Sequence, residues 1–280
     1  MNKFTTTMLC ALIAAGVLVS CAKEVPEVIA TPTPTPTEEI AAPTATPAPE
    51  ETPEETPEPI TGFISEITDL IHAETIEMPN GYSLVVTGFY PQTGVEAIDS
   101  FYRDRGESFK AEAEDFAEEI RFYDEADSFI TQFMLEDDYE VIKNSDNILS
   151  IHRTIYSYTG GAHGNNGDVC DNFRISDGKT LTLDDIFDCS AAEYKADICR
   201  IFDKFIDENT YEIGSDDYSK IPFFNDAKET LRSYFPINEF CITDDGLIFF
   251  ISPYYIAPYV AGTVMLTVSW NDLTVARKVL

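Results

Sequence analysis

Apolar and polar residues alternate from Phe63 to Ile71 and again from Tyr82 to Tyr90, with Pro79-Asn80-Gly81 between the two runs. A period of two predicts strands, and the Pro-Asn-Gly triplet predicts the turn that joins them. After Thr93 the period changes. Ile98, Phe101, Phe109, Ala113, Phe116, Ala117 and Ile120 fall on one stripe at helical spacing, and Thr93-Gly94-Val95-Glu96 reads as the capping box that opens the helix. Alternation returns in Phe129 to Leu135, Tyr139 to Asn144 and Ile148 to Tyr158, which predicts an antiparallel meander with acidic and Asn/Asp turns.

Val169 to Ile175 and Thr180 to Leu183 flank Asp177-Gly178, a hairpin signal. Ser190-Ala191-Ala192-Glu193 is a second capping box, and the helix it opens is expected to bury Tyr194, Ile198, Ile201, Phe202, Phe205 and Ile206. Ala227 to Phe235 predicts a shorter helix. Phe240 to Thr243 and Leu247 to Ser252 bracket the turn Asp244-Asp245-Gly246. Leu247 to Ile251 is wholly apolar, as a central strand covered on both faces would be, and Gly262 to Trp270 alternates. The sum is an α+β fold, antiparallel sheets packed by a few helices.

Upstream of this region the pattern is different in kind. Lys3 precedes a short apolar run, Met8 to Val19, and Leu18-Val19-Ser20-Cys21 matches a lipobox. Residues 1–21 are therefore expected to be a lipoprotein signal peptide, with Cys21 lipidated; ordinary signal cleavage near Ala22 is the alternative. Residues 22–59 alternate proline with threonine and glutamate, a composition that cannot bury enough apolar surface to offset its ordering entropy. As polyproline II, at about 3.1 Å per residue, this linker would hold the domains up to roughly 100 Å from a membrane. No later segment reaches the length of apolar chain expected of a membrane span, so lipid is the expected anchor.

The formal charge of −32 excludes nucleic acid as a partner and favours basic proteins or cations. Acidic runs such as Glu112 to Glu119 and Glu136 to Glu140 are expected to be solvated faces. Enzyme signatures are missing: there is no Gly-x-Ser-x-Gly elbow, no Ser-x-x-Lys, no His-Glu-x-x-His and no phosphate-cradling loop. The chain is expected not to be an enzyme, and no cofactor is called for. His152 alternates with Ser150, Thr154 and Tyr156 on one strand face and reads as a packed, hydrogen-bonded histidine. Paired acids such as Asp184-Asp185 read as cap and turn residues.

Cys170, Cys189, Cys199 and Cys241 make an even set, which suggests disulfides in an exported chain. Cys170 and Cys189 lie near the open end of the hairpin centred on Gly178. The expected pairing is Cys170 with Cys189 and Cys199 with Cys241, with a buried free thiol at Cys199 as the alternative. A metal site is not expected, because there is no Cys-x-x-Cys pair and His163 stands outside usual ligand spacing from Cys170.

The most unusual residues are Tyr158-Thr159-Gly160-Gly161-Ala162-His163-Gly164-Asn165 and, further on, Ser252-Pro253-Tyr254-Tyr255-Ile256-Ala257-Pro258-Tyr259 with Gly262. The glycines call for special backbone conformation. His163 is either a partner-contacting imidazole or an architectural residue bonded to a neighbouring carbonyl. Tyr254, Tyr255 and Tyr259 between Pro253 and Pro258 suit a protein hot spot or sugar stacking, though some of these rings must also be core. Together these phrases resemble the paired domains of the ectodomain of the lysozyme-sensing anti-sigma factor RsiV and of the N-terminal part of PdaC-type peptidoglycan deacetylases. The resemblance covers roughly Ile60 to Leu280 and implies an N-terminal domain at 60–159 and a C-terminal one at 160–280.

It further implies a lysozyme-binding or lysozyme-inhibiting module at the cell envelope, with partner contacts at Gly160, Gly161, His163, Pro253, Tyr254, Tyr255, Pro258 and Tyr259. The deacetylase chemistry of those relatives belongs to a separate catalytic domain. A peptidoglycan-binding module and an envelope scaffold are the competing expectations.

Overall fold

The computed structural model describes residues 62–123, 131–211, 217 and 219–278. The signal peptide, the lipobox Cys21 and the linker lie outside the described residues.

Strands β1 (Thr68–Glu77) and β2 (Ser83–Gln92) form an antiparallel hairpin closed by Met78 N–H on the Tyr82 carbonyl. β1 starts later than the alternation at Phe63 suggests and is exposed along nearly its whole length. Helix α1 (Glu96–Ile120) follows. Its first turn is capped from inside, because the Asp99 carboxylate accepts from the Thr93 N–H (2.7 Å) and hydroxyl (2.8 Å) and from the Gly94 N–H (3.0 Å). Glu96, the expected capping residue, instead pairs with Arg103. Of the expected stripe Ile98, Phe109, Ala113, Ala117 and Ile120 are buried, Phe116 is half-buried, and Tyr102 takes the place of Phe101, which stays partly exposed.

β3 (Gln132–Ser145) is one long strand, where the acidic run predicted a turn between two short ones. It pairs parallel with β2, and α1 supplies the crossover that a parallel pair needs. The expected meander is thus antiparallel only from β3 onward, through β4 (Ile148–Tyr158) and β5 (Asn165–Arg174). The acidic run is not a solvated turn because Asp137 points into the core and is fully buried. Arg153 of β4 grips both Asp137 oxygens (2.8 and 2.7 Å) and donates through Nε to Asp171 (2.8 Å). Tyr90 donates to Asp137 at 3.1 Å, Tyr102 donates to Asp171 at 3.2 Å, and Arg105 reaches Asp137 from α1. Burial, reinforced by these carboxylates, pushes both tyrosine hydroxyls well above their ordinary range.

The sheet β1-β2-β3-β4-β5 therefore runs past the expected domain boundary at 159/160, which falls between two strands paired over ten residues. The described residues from 62 onward belong to one compact unit. After β5, Gly178 turns the chain and Thr180 makes a single bridge back to Phe173. Helix α2 (Leu183–Ile186) opens on the Thr182/Asp185 capping box, and α3 (Ala191–Asn209) on the Ser190/Glu193 box. Helix α4 (Ala227–Ser233) is shorter. Strands β6 (Phe240–Ile242), β7 (Gly246–Ile251) and β8 (Val264–Ser269) form a second antiparallel sheet with β7 central, as its wholly apolar sequence predicted. Its inner face and α3 share one core around Phe202, Phe249, Leu266 and Val268.

Side chains of the first sheet hold the second. Asn172 of β5 donates to the Phe240 carbonyl (2.7 Å) and accepts from the Ile242 N–H (3.1 Å), and Ser150 accepts from the same N–H (2.9 Å). Lys143, nearly buried on β3, pairs with Asp244 in the β6–β7 turn. Among the described residues no helix is long and apolar enough to cross a membrane.

The chain after β8 is pinned by Asp197 of α3, which accepts from the Thr274 and Val275 N–H groups and from Arg200. Burial opposes the charge at Asp197, but these donors outweigh it and hold the carboxyl below its usual range. A depressed folded-state pKa contributes stability that is present above the unfolded value, about 4, and is lost as pH falls through the folded one. Asp197→Asn is expected to cost about 1–3 kcal/mol at neutral pH. Thermal melts from about pH 7 to 3 check the sign, since the gap between wild type and variant should close on the acid side.

Candidate functional site

The two phrases singled out in the sequence meet in space. β4 ends at Tyr158, and the chain turns through Gly160 and Gly161 at φ 91° and 96°, conformations that residues with a Cβ rarely adopt. Tyr158 secures the turn by donating its hydroxyl to the Gly161 carbonyl at 3.0 Å. Gly164 is required for another reason, because a Cβ there would run into the ring of Tyr156.

His163 stands exposed between these glycines. Its Nδ1 lies 2.8 Å from the Gly164 carbonyl oxygen. A carbonyl only accepts, so Nδ1 carries the proton and Nε2 of the neutral ring is left to accept, facing the Tyr254 hydroxyl at 3.4 Å. The imidazole stacks on Tyr259, with centroids 3.9 Å apart and planes 17° from parallel. Tyr254 lies 5.7 Å from the same ring. His163 thus bonds a neighbouring carbonyl, as the architectural expectation has it, and also stacks in an aromatic cluster at the surface.

The tyrosine segment folds as an irregular loop between β7 and β8. Ile256 and Ala257 are buried and anchor it, Tyr254 N–H donates to the Ala257 carbonyl, and Pro258 leads into a single helical turn, Tyr259–Ala261. Tyr254 is held at φ 71°, a strained value for a tyrosine, and strain of this kind collects at ligand clamps. Tyr254 is 55% exposed, and Val260, next to Tyr259 in the chain, is 86% exposed.

Tyr255 and Pro253 are not part of that cluster. Tyr255 stacks on Tyr234 from the end of α4, at 5.1 Å and 25°. These residues line a cavity of about 320 Å³ with Asp168, Pro236, Glu239 and Ser252. Tyr234 donates to Glu239 at 2.6 Å; burial and that carboxylate push its hydroxyl upward. Tyr234 and Glu239 escaped the sequence reading because they sit at a helix end and a strand start, where patterning only announces boundaries.

Asp168 is the polar pivot between the loops. It bonds His152 (2.9 Å), the Ser252 hydroxyl (3.0 Å) and the Thr263 hydroxyl (2.9 Å), while His152 stacks flat on Phe250 at 3.8 Å. The residue types are those of a hydrolytic triad, but the geometry differs. Ser252 donates to the carboxylate and not to the histidine, so the Ser-to-His contact that defines such a triad is not formed. His152 is the packed, hydrogen-bonded residue its alternation predicted.

The packing of the cysteines differs from the expected pairing. Cys170 packs with Cys241 and Phe250 in one small cluster, whereas Cys189 joins the core around α3. Cys170 and Cys189 fall in different clusters because the segment after Gly178 makes one bridge, Thr180 to Phe173, before the chain leaves into α2 and on to Cys189. Among the described residues no group of three or more His, Cys, Asp or Glu converges as a metal site.

Fold and site together define a two-sheet α+β module whose most distinctive surface is an aromatic cluster built from two loops. Residues 75–166 match the family described as deacetylase PdaC, and residues 184–271 match the protein family of unknown function DUF3298. The two matches stand in tandem, the paired arrangement expected from the sequence, and domains of this kind indicate an extracytoplasmic module of the cell envelope. A crystal structure of a DUF3298 family member from Bacteroides fragilis is similar in fold, with TM-score 0.55 at 15% identity over 78% of this chain and 96% of that one. A DUF3298 family protein from Pseudomonas aeruginosa aligns at TM-score 0.49 and 16% identity, over 76% of this chain and 94% of that one. No curated protein matches the chain.

Proposed function

We propose that this chain is a lipid-tethered binding module, anchored through Cys21, that captures a basic extracytoplasmic protein of the lysozyme type and does no chemistry of its own. One observation carries this reading: His163, Tyr254 and Tyr259 form a stacked aromatic cluster at the surface, beside the exposed Val260. Rigid aromatic rings give contact area at low entropic cost, the usual makeup of a hot spot. The chain's charge of −32 supports a basic partner, because opposed fields raise the encounter rate.

Titration of the full chain with a c-type lysozyme tests this reading. Binding is expected to weaken as salt rises, since long-range attraction is screened within about 8 Å at physiological ionic strength. Tyr259→Ala is expected to weaken affinity about 30-fold, mainly through faster dissociation. No binding at low salt would overturn the proposal. Glycan binding is a second reading, favoured by the stacked Tyr234–Tyr255 pair walling a cavity with Glu239 and Asp168. Retention on insoluble peptidoglycan, lost in Tyr255→Ala and kept in Tyr259→Ala, would establish it instead.

A further inference from the structure

We infer that Cys170 and Cys241 form a disulfide in the mature protein, a covalent staple between the two sheets that aligns the two loops of the aromatic cluster. The juxtaposition is built by backbone. The Phe240 carbonyl and the Ile242 N–H both point at the Asn172 side chain, at 2.7 and 3.1 Å, so β6 lies along β5 with Cys241 centred on Asn172. Cys170 precedes Asn172 by two residues and shares its face of β5. The two side chains then fall in one cluster whose remaining buried member is Phe250, with Cys170 only 8% exposed and Cys241 fully buried. Cys189 and Cys199 have no such neighbour: one packs in the α3 core, the other lies on α3 beside a groove lined by Lys195, Arg200 and Arg232.

An extracytoplasmic compartment supplies the oxidant class, the exchangeable disulfide of an exported thiol–disulfide oxidoreductase. The thiolate of one cysteine attacks that disulfide, forming a mixed disulfide and expelling one donor thiolate. The second cysteine then attacks the mixed disulfide and expels the other. Two S–H bonds are lost, one S–S bond forms, and the donor is reduced to a dithiol by the electron pair. Exchange must precede docking of the sheets. In the folded chain, burial and the adjoining Cys241 push the Cys170 thiol far above its ordinary range and shut out reagents. Once closed, the bridge is expected to resist reductant until the protein unfolds.

Its placement links it to the aromatic cluster from both sides. Cys170 lies on the strand that follows the glycine loop, and Cys241 pairs with Ile248 on the strand that leads into the tyrosine loop. The bridge closes a loop of about 70 residues, so its loss is expected to lower the thermal midpoint by about 10 °C.

The full chain, exported and purified without reductant, is denatured with an alkylating agent present and mapped by mass spectrometry. The expected result is one linked peptide pair, Cys170–Cys241, with Cys189 and Cys199 alkylated. Alkylation of Cys170 and Cys241, or a Cys170–Cys189 link, would overturn the inference. Thermal melts provide a second readout. Phosphine reductant added in denaturant before refolding should lower the wild-type midpoint and leave Cys170→Ala/Cys241→Ala unmoved. A double variant that responds to reductant as wild type does would place the responsive bond elsewhere and sink the idea.

Discussion

Replacing Arg153 by methionine is expected to destabilise the fold by about 3–5 kcal/mol, the cost of removing one partner from a buried ionic cluster. The residue is 3% exposed, and it is the shared donor for Asp137 and Asp171, themselves buried. Tyr90, Tyr102 and Arg105 remain in the variant, but they leave two carboxylates with one cation between them, reaching only Asp137. The charged hydrogen bonds matter less here than the desolvation left uncompensated when the guanidinium goes. Arg153→Lys should recover only part of the loss, because an ammonium cannot present the fork that spans both acids. The triple variant Arg153→Met/Asp137→Leu/Asp171→Leu should be far closer to wild type than Arg153→Met, since an apolar replacement of the whole cluster removes the penalty along with the attraction. Urea unfolding followed by circular dichroism distinguishes these outcomes. Equal midpoints for wild type and Arg153→Met would mean that the cluster is not closed as described.

Phe249→Ala is expected to cost about 3–5 kcal/mol as well, by a different mechanism. Phe249 is fully buried at the centre of β7, with Phe202 at 5.1 Å, Phe240 at 5.8 Å and Phe235 at 6.1 Å. Truncation removes apolar surface and leaves a cavity whose walls are held by two helices and a sheet, so collapse is limited. Met265 on the neighbouring strand is 59% exposed, and Met265→Ala is expected to stay within about 0.5 kcal/mol. If the two variants melt together, the side of the second sheet assigned to the core is wrong.

Most of this architecture is legible in residue order. The Ser190/Glu193 box, the apolar run Leu247 to Ile251 and the alternation after Gly262 each describe a local requirement that the surrounding fold also meets, so local and global preferences agree there. The misses share a cause. Glu136 to Glu140 was read by charge, but Asp137 owes its place to Arg153, sixteen residues away, and local composition holds no record of that partner. The Thr93/Glu96 box failed because Asp99, on the buried side of the first turn, takes the Thr93 N–H that Glu96 would have accepted from, and wins from a drier position. The parallel pairing of β2 with β3 is likewise invisible to periodicity, which reports faces and not neighbours.

The aromatic cluster is partly legible. Its glycines and tyrosines stand out in sequence; their meeting depends on how the second sheet docks on the first. Tyr234 and Glu239 carry no local signal at all, and only the third dimension assigns them to the cavity.

His163 and Tyr254 touch across 91 residues of sequence. At about 5–20 residues per second of synthesis, the second wall of the cluster leaves the ribosome several seconds after the first. No shortened chain ending before Ser252 can present the cluster, however well its first sheet folds. Capture through this cluster, as proposed above, would therefore require that the chain has been synthesised past Tyr259 and has brought its two sheets into register.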